Sequence, residues 1–432
     1  MGVTPASILP LTLIACLANP AGAQTLQEFQ LPPSIGCLPY GITSGPDGNI
    51  WFTVGEGWPP GQHVGRITLE GEMTLYQTQG LGPDQITPGP DENVWFTEVW
   101  GNAIGRITPD GAVTHVRMPA ASTYPPGIVT GSDGHLWFTV ICCGTDRIGR
   151  ITTDGVLTFF PLPSRDAWVS DIESGPDGAL WFTEGTGNKI VRMTTKGELT
   201  EFDVPTPGSK PTYITTGPDG ALWFTEQLGN KIGRITTDGV MTEFAIPTEN
   251  SNPADIVTGS DGRLWFAEWK ANKIACMTLD GEIIEFELPQ PFRGPTGITS
   301  GLDGAIWFVE TEGNSIGRLT TPDMRAPPKV SADGTLRLTG TAQSGGAYRD
   351  VLAADDGILS ATLTWADPLK DLNLRVELAT CGLAALCFTS SELPSGTREE
   401  VGLPVQRGRP YRIWVWNASM ASESYTLEVV LR

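Results

Sequence analysis

The chain has 432 residues, among them 52 glycines and 35 prolines, with 40% of residues hydrophobic. That balance excludes disorder and points to a turn-rich, all-β globular protein long enough for two or three domains. A formal net charge of -21 excludes nucleic acid and an anionic membrane surface as partners, because both require clustered Lys and Arg.

From the N-terminus, Ile8 to Ala18 is mostly apolar, and Ala21-Gly22-Ala23 follows as a small-residue cleavage site before Gln24. Residues 1–23 therefore read as a signal peptide, with no Lys or Arg before the apolar run, and the protein is expected to be secreted or periplasmic. The run is too short and broken to cross a bilayer as a helix, so no transmembrane helix is expected. "LIAC", ending at Cys16, offers the alternative of a lipoprotein anchored through that cysteine. The six other cysteines show no CxxC zinc pattern, and Cys381 and Cys387 are close enough in sequence to pair.

Residues 24–323 carry a repeat. Trp51, Trp95, Trp137, Trp181, Trp223, Trp265 and Trp307 recur at intervals of 42 or 44 residues, which makes seven copies. Each copy holds four short strands rich in β-branched and aromatic residues. Asp-Gly turns such as Asp219-Gly220 and Asp238-Gly239 join the first strand to the second and the third to the fourth. A period in the low forties with four strands predicts propeller blades. The seventh copy lacks its fourth strand, while an orphan of that type, "LQEFQLP" from Leu26 to Pro32, precedes the first. The expected fold is thus an all-β, seven-bladed propeller closed by an N-terminal strand. Residues 324–330 form a Pro-rich linker. Residues 331–432 alternate as strands without the Trp-Phe period and read as a small C-terminal β-sandwich.

The units "GPDGALWFTEQLGNKIGRITTDGVMTEFAIP", Gly217 to Pro247, and their neighbours from about Leu26 to Thr321 resemble the virginiamycin B lyase (streptogramin B lyase) family. That resemblance implies a seven-bladed propeller and a magnesium-dependent elimination that opens cyclic depsipeptides at an ester. It also implies a site on the rim where the blades open. The family places one histidine after the Pro of the sixth blade and another after the Pro of the seventh. A glutamate precedes the seventh-blade Pro, and a second ends that blade's Trp-Phe strand. Here those positions are Ala254, Thr296, Gly294 and Glu310. The tail, through "ATLTWADPLKDLNLRVEL", more distantly resembles bacterial pre-peptidase C-terminal domains, which serve as binding or targeting modules.

Glu310 is the matching member of the set and the candidate catalytic residue. It is also one of five glutamates at the same repeat position, with Glu98, Glu184, Glu226 and Glu268, so a structural role stands beside the catalytic one. Asp255 and Glu310 are the candidate metal ligands, for magnesium by resemblance alone. Tyr40, Asp84, Asp171, Tyr213, Trp269 and Thr296 are expected to line the rim of the central channel, with Trp58, Trp100, Tyr124 and Trp168 as further aromatic surface. The three histidines, His63, His115 and His135, read as surface residues away from the axis. Two functions follow: a monomeric, exported binding propeller for a small molecule, peptide or glycan, or a divergent metal-dependent lyase on an ester substrate.

Overall fold

The structure, a computed structural model, describes residues 25–320 apart from 34–37, 57–60, 81, 120–122, 143–145 and 165–166, and of Glu56, Thr123 and Cys142 it describes the backbone alone. Outside that span only strand backbones are described. The expectations for Cys16, Cys381 and Cys387 fall on side chains outside the described ones, as does Trp58.

Seven antiparallel sheets make the propeller, with no α-helix among the described residues. Blade 1 runs from its inner strand Leu38–Ser44 through Ile50–Glu56 and His63–Ile67 to Met73–Gln77. The later inner strands are Pro83–Pro88, Ile128–Thr130, Val169–Ser174, Pro211–Thr216, Pro253–Thr258 and Pro295–Ser300. Each inner strand touches the next, and the seventh touches the first, so the ring is continuous. In blade 7 the strand Gly22–Gln30 lies antiparallel to Ser315–Thr320, pairing Leu26 with Leu319 and Phe29 with Ile316. Beyond residue 328 the described backbone forms nine strands in a five-stranded and a four-stranded sheet.

One side-chain unit explains why the repeat tolerates so little change. In all seven blades the turn aspartate lies four residues before the tryptophan and accepts the indole N–H, from 2.8 Å at Asp47–Trp51 to 3.2 Å at Asp303–Trp307. The buried indole is thereby satisfied while its rings fill the interface between blades. Trp51 packs with Ile86 and Phe96 of blade 2, and Trp307 with Ile42 and Phe52 of blade 1. An arginine of the third strand pairs with the same aspartate in six blades, for example Arg234–Asp219 at 2.6 Å, and covers the tryptophan face in five. Blade 6 has Cys276 at that position, and Arg263 from the turn supplies the cation to Asp261 instead, at 3.9 Å. Truncating any one of these tryptophans to Ala should cost about 3–5 kcal/mol.

The turns follow the same economy. The glycine of each Asp-Gly hairpin takes a left-handed backbone, as at Gly220 (φ 73°) and Gly239 (φ 90°). In blade 2, Glu92 stands in that position at φ 63°.

Candidate functional site

The blade-opening ends of the inner strands surround a cavity of about 440 Å³ on the propeller axis. Three repeat positions supply most of its wall. The residue before the opening position gives Leu38, Tyr124, Trp168, Lys210 and Asn252. The residue after it gives Tyr40, Asp84, Pro126, Ser170, Thr212, Ala254 and Thr296. The residue following the second strand gives Gln227, Trp269 and Thr311, and Gln85, Tyr213 and Glu312 complete the lining.

Five of the predicted rim residues, Tyr40, Asp84, Tyr213, Trp269 and Thr296, meet at this cavity. The hydroxyls of Tyr40 and Tyr213 are 2.9 Å apart, which links blade 1 to blade 5 across the channel. Burial, and then Tyr40, hold the Tyr213 phenol well above its ordinary range, so it is neutral at physiological pH. Thr296 shares a 2.6 Å hydrogen bond with Thr311, whose hydroxyl lies 2.9 Å from the Pro39 carbonyl oxygen. That chain ties blade 7 to blade 1.

Asp171 and Asp255 lie one strand position further along, in blades 4 and 6, on either side of Tyr213 in blade 5, and are outside the cavity lining. Each reaches to the following odd blade: Asp171 accepts the Ile214 amide and Asp255 the Ile298 amide, both at 3.0 Å. Desolvation pushes Asp171 up to about 7 and, with the nearby Asp171 charge adding, Asp255 up to about 8.

Glu310 is placed elsewhere. It is fully buried and does not line the cavity. Ser315 donates a short hydrogen bond to it, the Arg293 guanidinium is 3.8 Å away, and Arg293 also pairs with buried Glu28 at 2.9 Å. Burial pushes Glu310 up to about 7. Among the described residues no cluster of three or more His, Cys, Asp or Glu side chains is arranged to hold a metal ion. The histidines also stand apart from the cavity: His115 bonds Glu98 at 3.1 Å, His63 begins a third strand, and His135 follows a turn aspartate.

Lys210, Gln227, Asn252, Thr311 and Glu312 were not singled out from the sequence. A signal for them exists within the repeat itself. The positions flanking the opening Pro and following the second strand differ from blade to blade, whereas the Trp, Asp and Gly positions hardly change. Variation inside an otherwise uniform repeat therefore maps the cavity. Gly294 illustrates its tightness: a Cβ there would stand 2.8 Å from Glu312 Cγ and 2.9 Å from Trp269 Nε1. Trp168 takes a left-handed backbone (φ 54°), a conformation that costs a residue with a Cβ about 1–2 kcal/mol.

Comparison with known proteins fits this geometry. The model of the virginiamycin B lyase family matches residues 19–174 and 165–325. The chain belongs to the virginiamycin B lyase family. Among solved members, a streptogramin B lyase is 38% identical with a TM-score of 0.64, covering 69% of this chain and 98% of its own. Virginiamycin B lyase from Staphylococcus aureus is 42% identical with a TM-score of 0.64, covering 69% and 99%. A catalytically inactive histidine-to-alanine variant of that enzyme with quinupristin gives the same values. A virginiamycin B lyase from Nocardia farcinica is 32% identical over 106 residues, a match that spans 24% of this chain and 36% of that relative.

Proposed function

We propose that this family member is a ligand-binding propeller whose axial cavity holds a small molecule, peptide or glycan without transforming it. The observation that carries the reading is the identity of two lining residues. Where the resemblance calls for histidines, the cavity has Ala254 and Thr296, and Thr296 is engaged with Thr311. Neither side chain can take a proton from carbon at neutral pH, because a general base needs a pKa near the working pH. The inactive histidine-to-alanine relative supports the same reading. The pairing of Gly22–Gln30 with the last propeller strand supports a ring closed by the N-terminal segment.

Magnesium does not fit the residues at hand. Glu310 is enclosed with Ser315 and Arg293, and both oxygens of Asp255 already accept backbone amides. The protein incubated with quinupristin and Mg²⁺ should give no linear product by mass spectrometry, while calorimetry detects saturable binding of its ligand. Turnover by folded protein would overturn the reading.

One observation favours a second reading as a divergent lyase. Asp255, raised to about 8 beside Tyr213, has a proton affinity suited to acid–base work. Were that reading correct, Asp255→Asn would abolish turnover with Kd for substrate preserved.

A further inference from the structure

The lining does not end at Trp269. Trp269 and Glu312 also line an outer groove of about 540 Å³, together with Lys270, Glu287, Pro291 and Phe292. Phe292 is 81% exposed and its backbone is left-handed, at φ 57°. In the two preceding interblade loops the same position holds Gly208 (φ 64°) and Asn250 (φ 55°), the residue types that adopt this conformation most readily. Packing therefore gives no reason for an aromatic ring at this point of the repeat. Trp168, half exposed and at φ 54°, likewise puts an aromatic ring on a left-handed backbone at the cavity wall in blade 4, where blades 5, 6 and 7 have Lys210, Asn252 and Gly294.

Resting on the binding reading above, we propose that Trp168, the cavity, Trp269 and Phe292 form one extended track for an uncharged oligosaccharide. One end of the chain occupies the cavity and later sugar units pass over Trp269 onto Phe292. Aromatic faces held rigidly at the surface stack on the C–H faces of sugar rings, burying apolar area without demanding charge. Between them the lining offers amides and hydroxyls, and the buried Asn252 Oδ1 has no hydrogen-bond partner, so it can accept from a ligand hydroxyl. Charge points the same way. Lys210 and Lys270 are outnumbered by Asp84, Glu287 and Glu312 along the track, and the net charge of -21 further opposes an anionic glycan.

Calorimetric titration of the intact protein with cellotetraose and N-acetylchitotetraose, their disaccharides, tetraalanine and quinupristin tests the proposal. One tetrasaccharide should bind at least about tenfold tighter than its disaccharide, since added subsites act as linked binding events. Phe292→Gly, which suits the backbone, should remove that gain and leave disaccharide affinity unchanged. Trp269→Ala should weaken both. Equal affinity for the two lengths, or a Phe292→Gly protein with the full gain, would overturn the track while leaving a cavity-binding propeller. Binding of tetraalanine or quinupristin with no saccharide bound would overturn the sugar class alone. No binding by any of these probes would overturn the proposal as well, with folding checked by the thermal midpoint.

Discussion

Blades 5 and 6 differ from blades 1 and 3 at the corner where the second, third and fourth strands meet. In blade 6, Glu268 ends the second strand, Lys273 begins the third and Glu285 lies on the fourth. Lys273 bonds Glu285 at 2.9 Å, and Glu285 also accepts the amide and hydroxyl of Thr248, pinning the neighbouring loop. Blade 5 repeats this with Glu226, Lys231, Glu243 and Thr206. The corresponding residues of blade 1 are Val54, His63 and Leu75, and those of blade 3 are Val140, Arg147 and Phe159. Where the second-strand acid becomes Val, the fourth-strand acid becomes Leu or Phe. The two acids are thus lost together in blades 1 and 3, which removes both carboxylates from that corner.

Two blades keep the charged form with a substituted cation. Blade 7 has Ser315 where Lys is usual, and Arg293 from the preceding loop reaches in to Glu28 and Glu310. Blade 2 has Ala103 there, and His115 replaces the fourth-strand acid to meet Glu98.

The largest effect is expected where one cation serves two buried acids. Arg293→Met should destabilise by about 3 kcal/mol in urea unfolding at pH 7, since both carboxylates lose their counter-charge. A loss below about 1 kcal/mol would show that the corner does not depend on its cation.

Glu268→Val imports the apolar choice at one position. Neither Glu268 oxygen has a well-formed hydrogen bond, although Ser251 is nearby, and desolvation pushes its pKa up to about 8. An acid whose folded pKa exceeds its unfolded value of 4.5 favours the fold when protonated and loses that contribution as pH rises from 4.5 to about 8. The variant should therefore gain about 2 kcal/mol over the parent at pH 8.5, with a smaller gain at pH 5. Equal stability differences at both pH values would contradict this.

His115 gives a smaller effect of opposite slope. Its hydrogen bond to Glu98 raises its pKa, so its contribution is complete below 6.5 and fades as pH climbs through the folded value. His115→Ala should cost about 1 kcal/mol at pH 5.5 and close to nothing at pH 9. Its imidazole should titrate above 6.5 by NMR.

His63 should matter least. It occupies the Lys position beside Val54, with a buried and unpartnered Nδ1, and burial lowers its pKa. The folded state therefore loses stability as pH falls below 6.5, and His63→Ala should relieve about 0.5 kcal/mol at pH 5.

The blade count was legible because the Trp-Phe pair is a local signal that every copy repeats, and Asp-Gly turns accompany it in most copies. The cavity was legible in part. Tyr40, Asp84 and Thr296 follow the opening positions and Trp269 follows the second strand, so strand direction alone brings them together, with Tyr213 one position further along. Asp171 and Asp255 were expected on the same rim because the topology brings the blade-opening acids to the central channel. They share their strand position with Tyr213, one residue beyond Ser170 and Ala254, and their short carboxylates accept amides of the next blades where the longer phenol reaches the cavity. Glu310 illustrates another limit. A glutamate ending a buried strand reads alike whether it faces an axis or an ion pair, and only the position of Arg293 distinguishes the two.

The Tyr40–Tyr213 hydrogen bond has a consequence for whatever polar group approaches it. Each hydroxyl already has a partner in another blade, so a group that displaces one phenol must replace the hydrogen bond that it breaks.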